Sequence, residues 1–306
     1  MEILLVGYGS IGARHRALLE ARGCCITVVS RNQSCPYERF DDLKSALSHK
    51  QYDGLLVATP TARHLENLKE LTEAGFVGRV LIEKPLFAIP VDFWPYPPAQ
   101  VCVAYNLRCH PLLKRVKELL RGRTLYSFWA YVGQHLPQWR PGRDYRSIYS
   151  ASKEEGGGAL LDLSHELDYL QWLAGPWQRV TARGGRVSDL EISSDDLYGL
   201  MIETRDCRLV QVQVNYLDLT PGGRREFIIN AEGLSLKGDF KTGLLSLNGS
   251  EPEVFSLDRN HTYAEQLRCW LEDEHESLCS FQEGLETVRL AAAAEQADAG
   301  DRWVRR

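Results

Sequence analysis

The sequence lacks several things, and each absence closes a class of function. No stretch approaches the ~18 consecutive apolar residues that a membrane-spanning helix needs, so no span is expected. The first residues carry no basic segment, and their apolar run ends in glycines after a few positions. No secretory leader is therefore expected, and the cytoplasm is the expected compartment. Basic charge is not in excess: 36 Lys and Arg stand against 41 Asp and Glu, a net charge of −5. That balance argues against a nucleic-acid partner, which calls for a basic surface. An anionic ligand stays open, because a pocket can be locally basic in an acidic protein. None of the eight cysteines forms a C-x-x-C pair. A zinc ribbon and a dithiol redox pair are thereby excluded, no metal site is read, and buried free thiols are expected. Internal repeats and low-complexity segments are absent as well.

What is present is an ordinary globular composition, 44% hydrophobic and 25% charged over 306 residues, a length that favours two domains. The first hundred residues alternate short apolar runs with helical stretches. Runs at Ile3–Val6, Ile26–Val29, Gly54–Ala58, Val80–Ile82 and Val101–Ala104 read as strands. Stretches at 11–22, Asp41–His49 and Thr61–Ala74 read as helices, the last closed by Gly75. Such alternation predicts a parallel sheet covered by helices. The interval 85–100 departs from it: prolines at 90, 95, 97 and 98, with Phe93, Trp94 and Tyr96 among them, predict a loop with at most one short turn.

Beyond a helix at Leu112–Leu120 the character changes. Leu125–Val132 reads as a strand and Ala159–Leu173 as one helix. Six strand-like runs follow, at Arg179–Val187, Leu197–Glu203, Leu209–Tyr216, Glu226–Ala231, Leu234–Gly238 and Leu244–Leu247, joined by Gly, Asp and Asn as hairpins are. Helices at His261–His275 and Gln282–Ala297 end the pattern. The expected architecture is an α/β domain with a parallel sheet over residues 1–120, then an α+β domain over 121–306. A C-terminal helix could pack back on the first domain.

Gly7-Tyr8-Gly9-Ser10-Ile11-Gly12 fits G-x-G-x-x-G between a strand and a helix. In that context the first glycine permits the turn and the second lets a pyrophosphate approach the backbone. The third lets helix and strand pack, and the helix N-terminus supplies N–H donors. The motif thus predicts a Rossmann domain binding a dinucleotide. About 20 residues on, an NAD site usually offers a carboxylate to the ribose 2′-hydroxyl. Here Ser30-Arg31-Asn32 stand instead. An arginine and a hydroxyl suit a 2′-phosphate, so NADP is preferred and NAD is the alternative. Arg31 could otherwise stack on adenine or point to solvent.

Further segments carry a resemblance. Ala58-Thr59-Pro60-Thr61 with His64 follows the third strand, and Glu83-Lys84-Pro85 follows the fourth. Tyr105-Asn106-Leu107-Arg108 with His110-Pro111 follows the fifth, and Gly156-Gly157-Gly158 opens a helix through Asp162, His165 and Asp168. In this order they resemble the glucose–fructose oxidoreductase / inositol dehydrogenase / MocA family. The resemblance implies a Rossmann domain and a second domain built on a large, open, mostly antiparallel sheet. It also implies a site between the two and a homo-oligomer, dimer or tetramer, formed through the sheet face. It implies hydride transfer between a nicotinamide and a sugar, acidic sugar or nucleotide sugar.

On that resemblance Lys84 bonds the substrate oxygen, Glu83 reaches ribose hydroxyls or orients Lys84, and Thr59, Pro60, Thr61, His64 and Asn106 line the cofactor. His165 is the expected proton acceptor, since its ordinary pKa lies near working pH. The family usually spaces Asp-x-x-x-His, whereas Asp162-x-x-His165 is one residue shorter. If Asp162 matches the family aspartate, Glu166 takes the histidine position; if His165 matches, Leu161 takes the aspartate position. Asp162 and His165 are kept as the working pair. The segment Gln134–Tyr149 reads as a substrate loop, with Trp139, Arg143 and Tyr145, joined by Arg108, suited to a sugar ring and an anionic group. Two alternatives keep the fold: an NAD-dependent glycoside-cleaving enzyme, and a regulator that senses NADP without catalysis.

Overall fold

The structure, a computed structural model, describes every residue except 33, 34, 38 and 93–95. Phe93, Trp94 and Pro95 of the proline-rich interval thus lie outside the described residues. The chain forms two compact units, Met1–Cys109 with Asn260–Leu285, and His110–Arg259 with Glu286–Arg306. The first unit therefore ends at 109, not 120, and takes back a late segment of the chain.

In the first unit, strands β1 (Glu2–Val6), β2 (Cys25–Val29), β3 (Arg39–Phe40), β4 (Gly54–Val57), β5 (Arg79–Ile82) and β6 (Val101–Val103) are all parallel. Their spatial order is β3-β2-β1-β4-β5-β6, that of a doubly wound dinucleotide-binding sheet. The two-residue β3 is too short for a sequence signal. Helices α1 (Ser10–Glu20), α2 (Leu43–His49) and α3 (His64–Glu73) make the crossovers. Asp42 starts α2 by accepting the Ser45 N–H at 2.8 Å. Gly75 ends α3 at a φ of 69°.

The second unit begins with α4 (Pro111–Leu120), where His110 Nδ1 accepts the Leu112 N–H and Pro111 occupies the first turn. Next come β7 (Leu125–Gly133), α5 (Ala159–Asp162) and α6 (His165–Ala174), then β8 (Trp177–Gly185), β9 (Leu197–Thr204) and β10 (Val210–Asn215). The strands β11 (Arg224–Ala231), β12 (Leu234–Asp239), β13 (Leu244–Leu247) and β14 (Glu253–Val254) follow. The nine-stranded sheet is antiparallel except at β7–β10. Register separates its faces cleanly. Leu236, Ile229, Phe128, Val210, Ile202 and Val180 pair across six strands, and all are buried. The adjacent row, Lys237, Ile228, Trp129, Gln211, Met201 and Thr181, is exposed or half-buried. Period-two alternation in each strand produces both rows.

The chain then forms α7 (His261–Glu272), β15 (Cys279–Ser280), α8 (Phe281–Gly300) and β16 (Val304–Arg305). α7 packs on α1, and its Leu267 and Trp270 join Ile3, Leu5, Leu56 and Leu81 in one core. β15 pairs antiparallel with β6, completing seven strands. The division between the units at 285/286 falls within α8. No disulfide forms among the described residues, and seven of the eight cysteines are buried. No helix among the described residues is long and apolar enough to cross a membrane.

Candidate functional site

In a parallel sheet every strand's carboxyl end lies at one edge, and the motifs after β1, β4, β5 and β6 gather there. The glycines of the first motif differ in what they do. Gly7 has a φ of 100°, and a Cβ on it would lie 2.5 Å from the Ala58 oxygen; a Cβ on Gly12 would collide with the Gly7 oxygen. Gly9, by contrast, is exposed and would meet nothing within 4 Å. It caps α1 with no side-chain hydrogen bond, so the first-turn donors keep an open approach. Two glycines therefore serve packing and the middle one leaves space, which fits a pyrophosphate resting on the turn. Tyr8, Ser10 and Ile11 lie around that approach, Ser10 exposed and the other two half-buried.

At the end of β2, Ser30 is buried and its Oγ accepts the Asn32 N–H at 3.0 Å. The Asn32 amide donates to the Tyr8 carbonyl at 2.9 Å, linking this turn to the glycine motif. Arg31 is exposed. Asn32 is exposed as well, so Ser30 alone of the three is buried.

Around β4 and β5 one histidine ties two loops together. His64 is fully buried, its Nδ1 3.1 Å from the Pro85 and Leu86 carbonyls and its Nε2 3.1 Å from the Thr59 carbonyl. Burial pushes its pKa down. The expectation that His64 lines the cofactor gives way: enclosed by three carbonyls, it braces the loops that carry Thr59 and Lys84. Thr59 donates to Asn67 Oδ1 at 2.8 Å, Pro60 is exposed and Thr61 buried.

Glu83 is also engaged from within the unit. Its Oε1 lies 2.6 Å from His15 Nε2, and its Oε2 accepts the Lys84 backbone N–H at 3.2 Å. Lys84 itself is half-buried. After β6, the Asn106 amide is buried and donates to Thr262 Oγ1 at 2.7 Å. Arg108 requires a correction as a substrate contact. It is 1% exposed and bonds Glu283 Oε1 at 2.9 Å and the Leu278 carbonyl at 3.3 Å, an ion pair within the first unit whose guanidinium is buried and whose carboxylate reaches solvent. A guanidinium so enclosed is structural.

In the second unit the glycine triplet is a packing device. A Cβ on Gly157 would collide with the Tyr149 carbonyl, and one on Gly158 (φ 120°) with the Asp195 carboxylate. Asp195 caps α5 by accepting the Leu160 N–H at 2.8 Å, and burial pushes its pKa up to about 6. α5 then stops at Asp162, and α6 starts anew at His165. The single helix expected over Ala159–Leu173 is thus two, broken at Leu163 and Ser164. The three-residue spacing from Asp162 to His165 thus spans a break, where 3.6-residue periodicity does not hold.

Asp162 is buried and accepts two phenols: the Tyr149 hydroxyl on Oδ1, and the Tyr216 hydroxyl on Oδ2 at 2.8 Å. Burial, and next the Asp162 charge, hold both hydroxyls well above the usual phenol pKa. Trp139 stands edge-on to Tyr216, centroids 5.1 Å apart, and its Nε1 donates to the Gln134 carbonyl. Trp139 thus stands beside Tyr216, whose hydroxyl reaches Asp162. Tyr145 instead accepts the Glu191 N–H at 3.3 Å, and Arg143 is exposed. His165 is nearly buried at the start of α6. Glu166, the alternative at the histidine position, is fully buried and paired with Arg225 at 3.0 Å. Sequence reasoning did not single out His15, Tyr216 or Asp195, and took Tyr149 only as the end of a loop. His15, three residues past Gly12, carries the one local signal; the others depend on residues far along the chain.

The fold and the open glycine turn define a dinucleotide-binding protein of two units. Residues 1–93 match an oxidoreductase family with an NAD-binding Rossmann fold, and residues 114–236 match the GFO/IDH/MocA C-terminal domain. The chain belongs to the Gfo/Idh/MocA oxidoreductase family. Among curated relatives, an uncharacterized oxidoreductase of Synechocystis sp. is 29% identical over 180 residues, 56% of this chain and 46% of that protein. The rhizopine catabolism protein MocA of Rhizobium meliloti is 26% identical over 190 residues, 56% of each. The chain thus spans about half the length of the curated relatives it matches. A levoglucosan dehydrogenase solved with NADH and levoglucosan superposes with a TM-score of 0.83 at 18% identity, covering 100% of this chain and 98% of that one. The WlbA dehydrogenase of Bordetella pertussis, with NADH and UDP-GlcNAcA, gives 0.78 at 19%, covering 100% and 97%. GenD2 from gentamicin A biosynthesis, with NAD, gives 0.80 at 21%, covering 100% and 96%. At these identities the three show a shared fold.

Proposed function

We propose that the protein is a dehydrogenase or reductase that interconverts a hydroxyl and a ketone on a sugar, acidic sugar or nucleotide sugar. The observation that carries this reading is Gly9, left open between two glycines that are closed by packing, with Lys84 presented from the same sheet edge. Backbone donors of Gly9, Ser10 and Ile11 receive the pyrophosphate. The nicotinamide, when bound, supplies the hydride chemistry. Lys84 donates a hydrogen bond to the substrate oxygen and stabilises negative charge there. His165 takes the hydroxyl proton in the oxidative direction. Asp162 holds Tyr149 and Tyr216 in a fixed polar wall, and Trp139 offers a ring face of the kind sugars stack on.

Arg31, exposed at the end of β2, favours NADP over NAD. Binding of NADPH and NADH followed by fluorescence tests this: Arg31→Ala weakens NADPH about tenfold and NADH little. Equal affinities in the wild type would make Arg31 a bystander. For turnover, levoglucosan and UDP-GlcNAcA, the ligands of the similar structures, head a screen of neutral and acidic sugars. Lys84→Ala and His165→Ala each lower kcat by about 100-fold or more while dinucleotide affinity holds; full activity in both would sink the assignment. The half-exposed row from Lys237 to Thr181 supports association of the second unit's sheet with a second copy, tested by light scattering, where a monomer would exclude it.

A further inference from the structure

We propose that His15 is a positioning residue for Lys84, acting through Glu83. The inference rests on the reading that Lys84 touches the substrate oxygen. His15 is 0% exposed in the middle of α1. Its Nδ1 has no hydrogen-bond partner among the described residues, and its Nε2 lies 2.6 Å from Glu83 Oε1. The ring therefore carries its proton on Nε2 and donates it to the carboxylate. The edge-on Tyr263 ring, centroids 5.8 Å apart, packs against the imidazole.

The other carboxylate oxygen of Glu83 accepts the Lys84 backbone N–H, while the Glu83 N–H donates to the Val57 carbonyl at 2.9 Å. One oxygen is thus held by the imidazole and the other holds the peptide that leads into Lys84. Without His15 the carboxylate is left buried with one oxygen unpaired, and it rotates or draws in water to compensate. Either change loosens its grip on the Lys84 peptide. α1 is also the helix that opens at Gly9, so one rigid element offers amides to the dinucleotide and holds the lysine that acts beside it. That arrangement gives the histidine three residues past Gly12 a task that core filling would not require, since an apolar side chain would fill the space without orphaning a ring nitrogen.

The test is the acetylation of Lys84 by acetic anhydride in the full-length protein, read by peptide mass spectrometry against the exposed Lys44 and Lys69. Relative to these, His15→Ala and Glu83→Gln each change the Lys84 rate by about threefold or more. His15→Gln, whose amide still donates to Glu83, stays within about twofold of wild type. NADH binding, followed by fluorescence, confirms that each variant is folded. Should His15→Ala fail to fold, Glu83→Gln against His15→Gln still decides. A Lys84 rate unchanged in Glu83→Gln, or altered as much by His15→Gln as by Glu83→Gln, would overturn the inference alone. Full turnover by Lys84→Ala would overturn the catalytic reading and His15's part in it, whatever the labelling gives.

Discussion

Two buried carboxylates, one in each unit, are held by opposite means. Glu83 is gripped by an imidazole and by the amide of its own neighbour, so its orientation is fixed largely by local chain geometry. Asp162 is gripped by two phenols, 13 and 54 residues away. The donors seen at these oxygens are an imidazole and a backbone amide on Glu83, and two phenols on Asp162. The contrast teaches that Glu83 serves its neighbour, whereas Asp162 gathers distant segments into one wall. Loss of Asp162 is therefore felt as stability, and loss of Glu83 as placement of the next residue.

Four substitutions sharpen that contrast, and denaturant melts measure each of them. Asp162→Ala takes the acceptor from two phenol hydroxyls and destabilises the protein by about 2–6 kcal/mol, at ~1–3 kcal/mol for each lost partner. A melt within 0.5 kcal/mol of wild type would show that Tyr149 and Tyr216 find other acceptors, the small-effect range of ordinary surface changes being about ±0.5 kcal/mol. Glu83→Ala strands the buried His15 ring and frees the part-buried Lys84 N–H, which water can reach, and costs less, about 1–3 kcal/mol. Equal losses at the two sites would break the comparison. Asp195→Asn acts through pH. The folded state holds the Asp195 proton up to about pH 6, against an ordinary value of 3.8, so its contribution to stability declines as pH rises from 4 through 6. Wild type should gain on the order of 1–2 kcal/mol relative to Asp195→Asn when pH falls from 7 to 4.5, read from melts at both pH values. A variant with the wild-type pH slope would show that the proton sits elsewhere. Tyr216→Phe, which removes one of two donors and leaves Tyr149 on Asp162, is the mildest change, at about 1 kcal/mol.

Much of the first unit was legible because its signals are local. Five of its strands, β1, β2, β4, β5 and β6, are short apolar runs stopped by a turn, and the glycine motif sits where strand meets helix. The larger antiparallel sheet was legible too, through alternation that the register confirms row by row. What escaped depended on partners remote in sequence. Arg108 looks like a pocket arginine until Glu283, 175 residues on, is seen beside it. His64 looks like a ligand-facing histidine, and only three carbonyls from two loops make it a brace. The break at Leu163–Ser164 left no mark, because apolar residues continue through it at helical spacing. The glycine triplet was visible as a motif, but its cause, the close approach of Tyr149 and Asp195, was not.

The late return of residues 260–285 to the first unit also sets an order of events at the ribosome. Leu267, Trp270 and Leu278 belong to the same core as Ile3 and Leu5, and β15 covers the edge of β6. The nascent dinucleotide-binding half must wait with an incomplete core while all of the second sheet but β16 is made, on the order of ten seconds or more at ~5–20 residues per second. A fragment ending at Cys109 would carry the glycine motif and every parallel strand, yet expose the surface that α7 covers, and would be a poor substitute for the intact unit in any binding experiment.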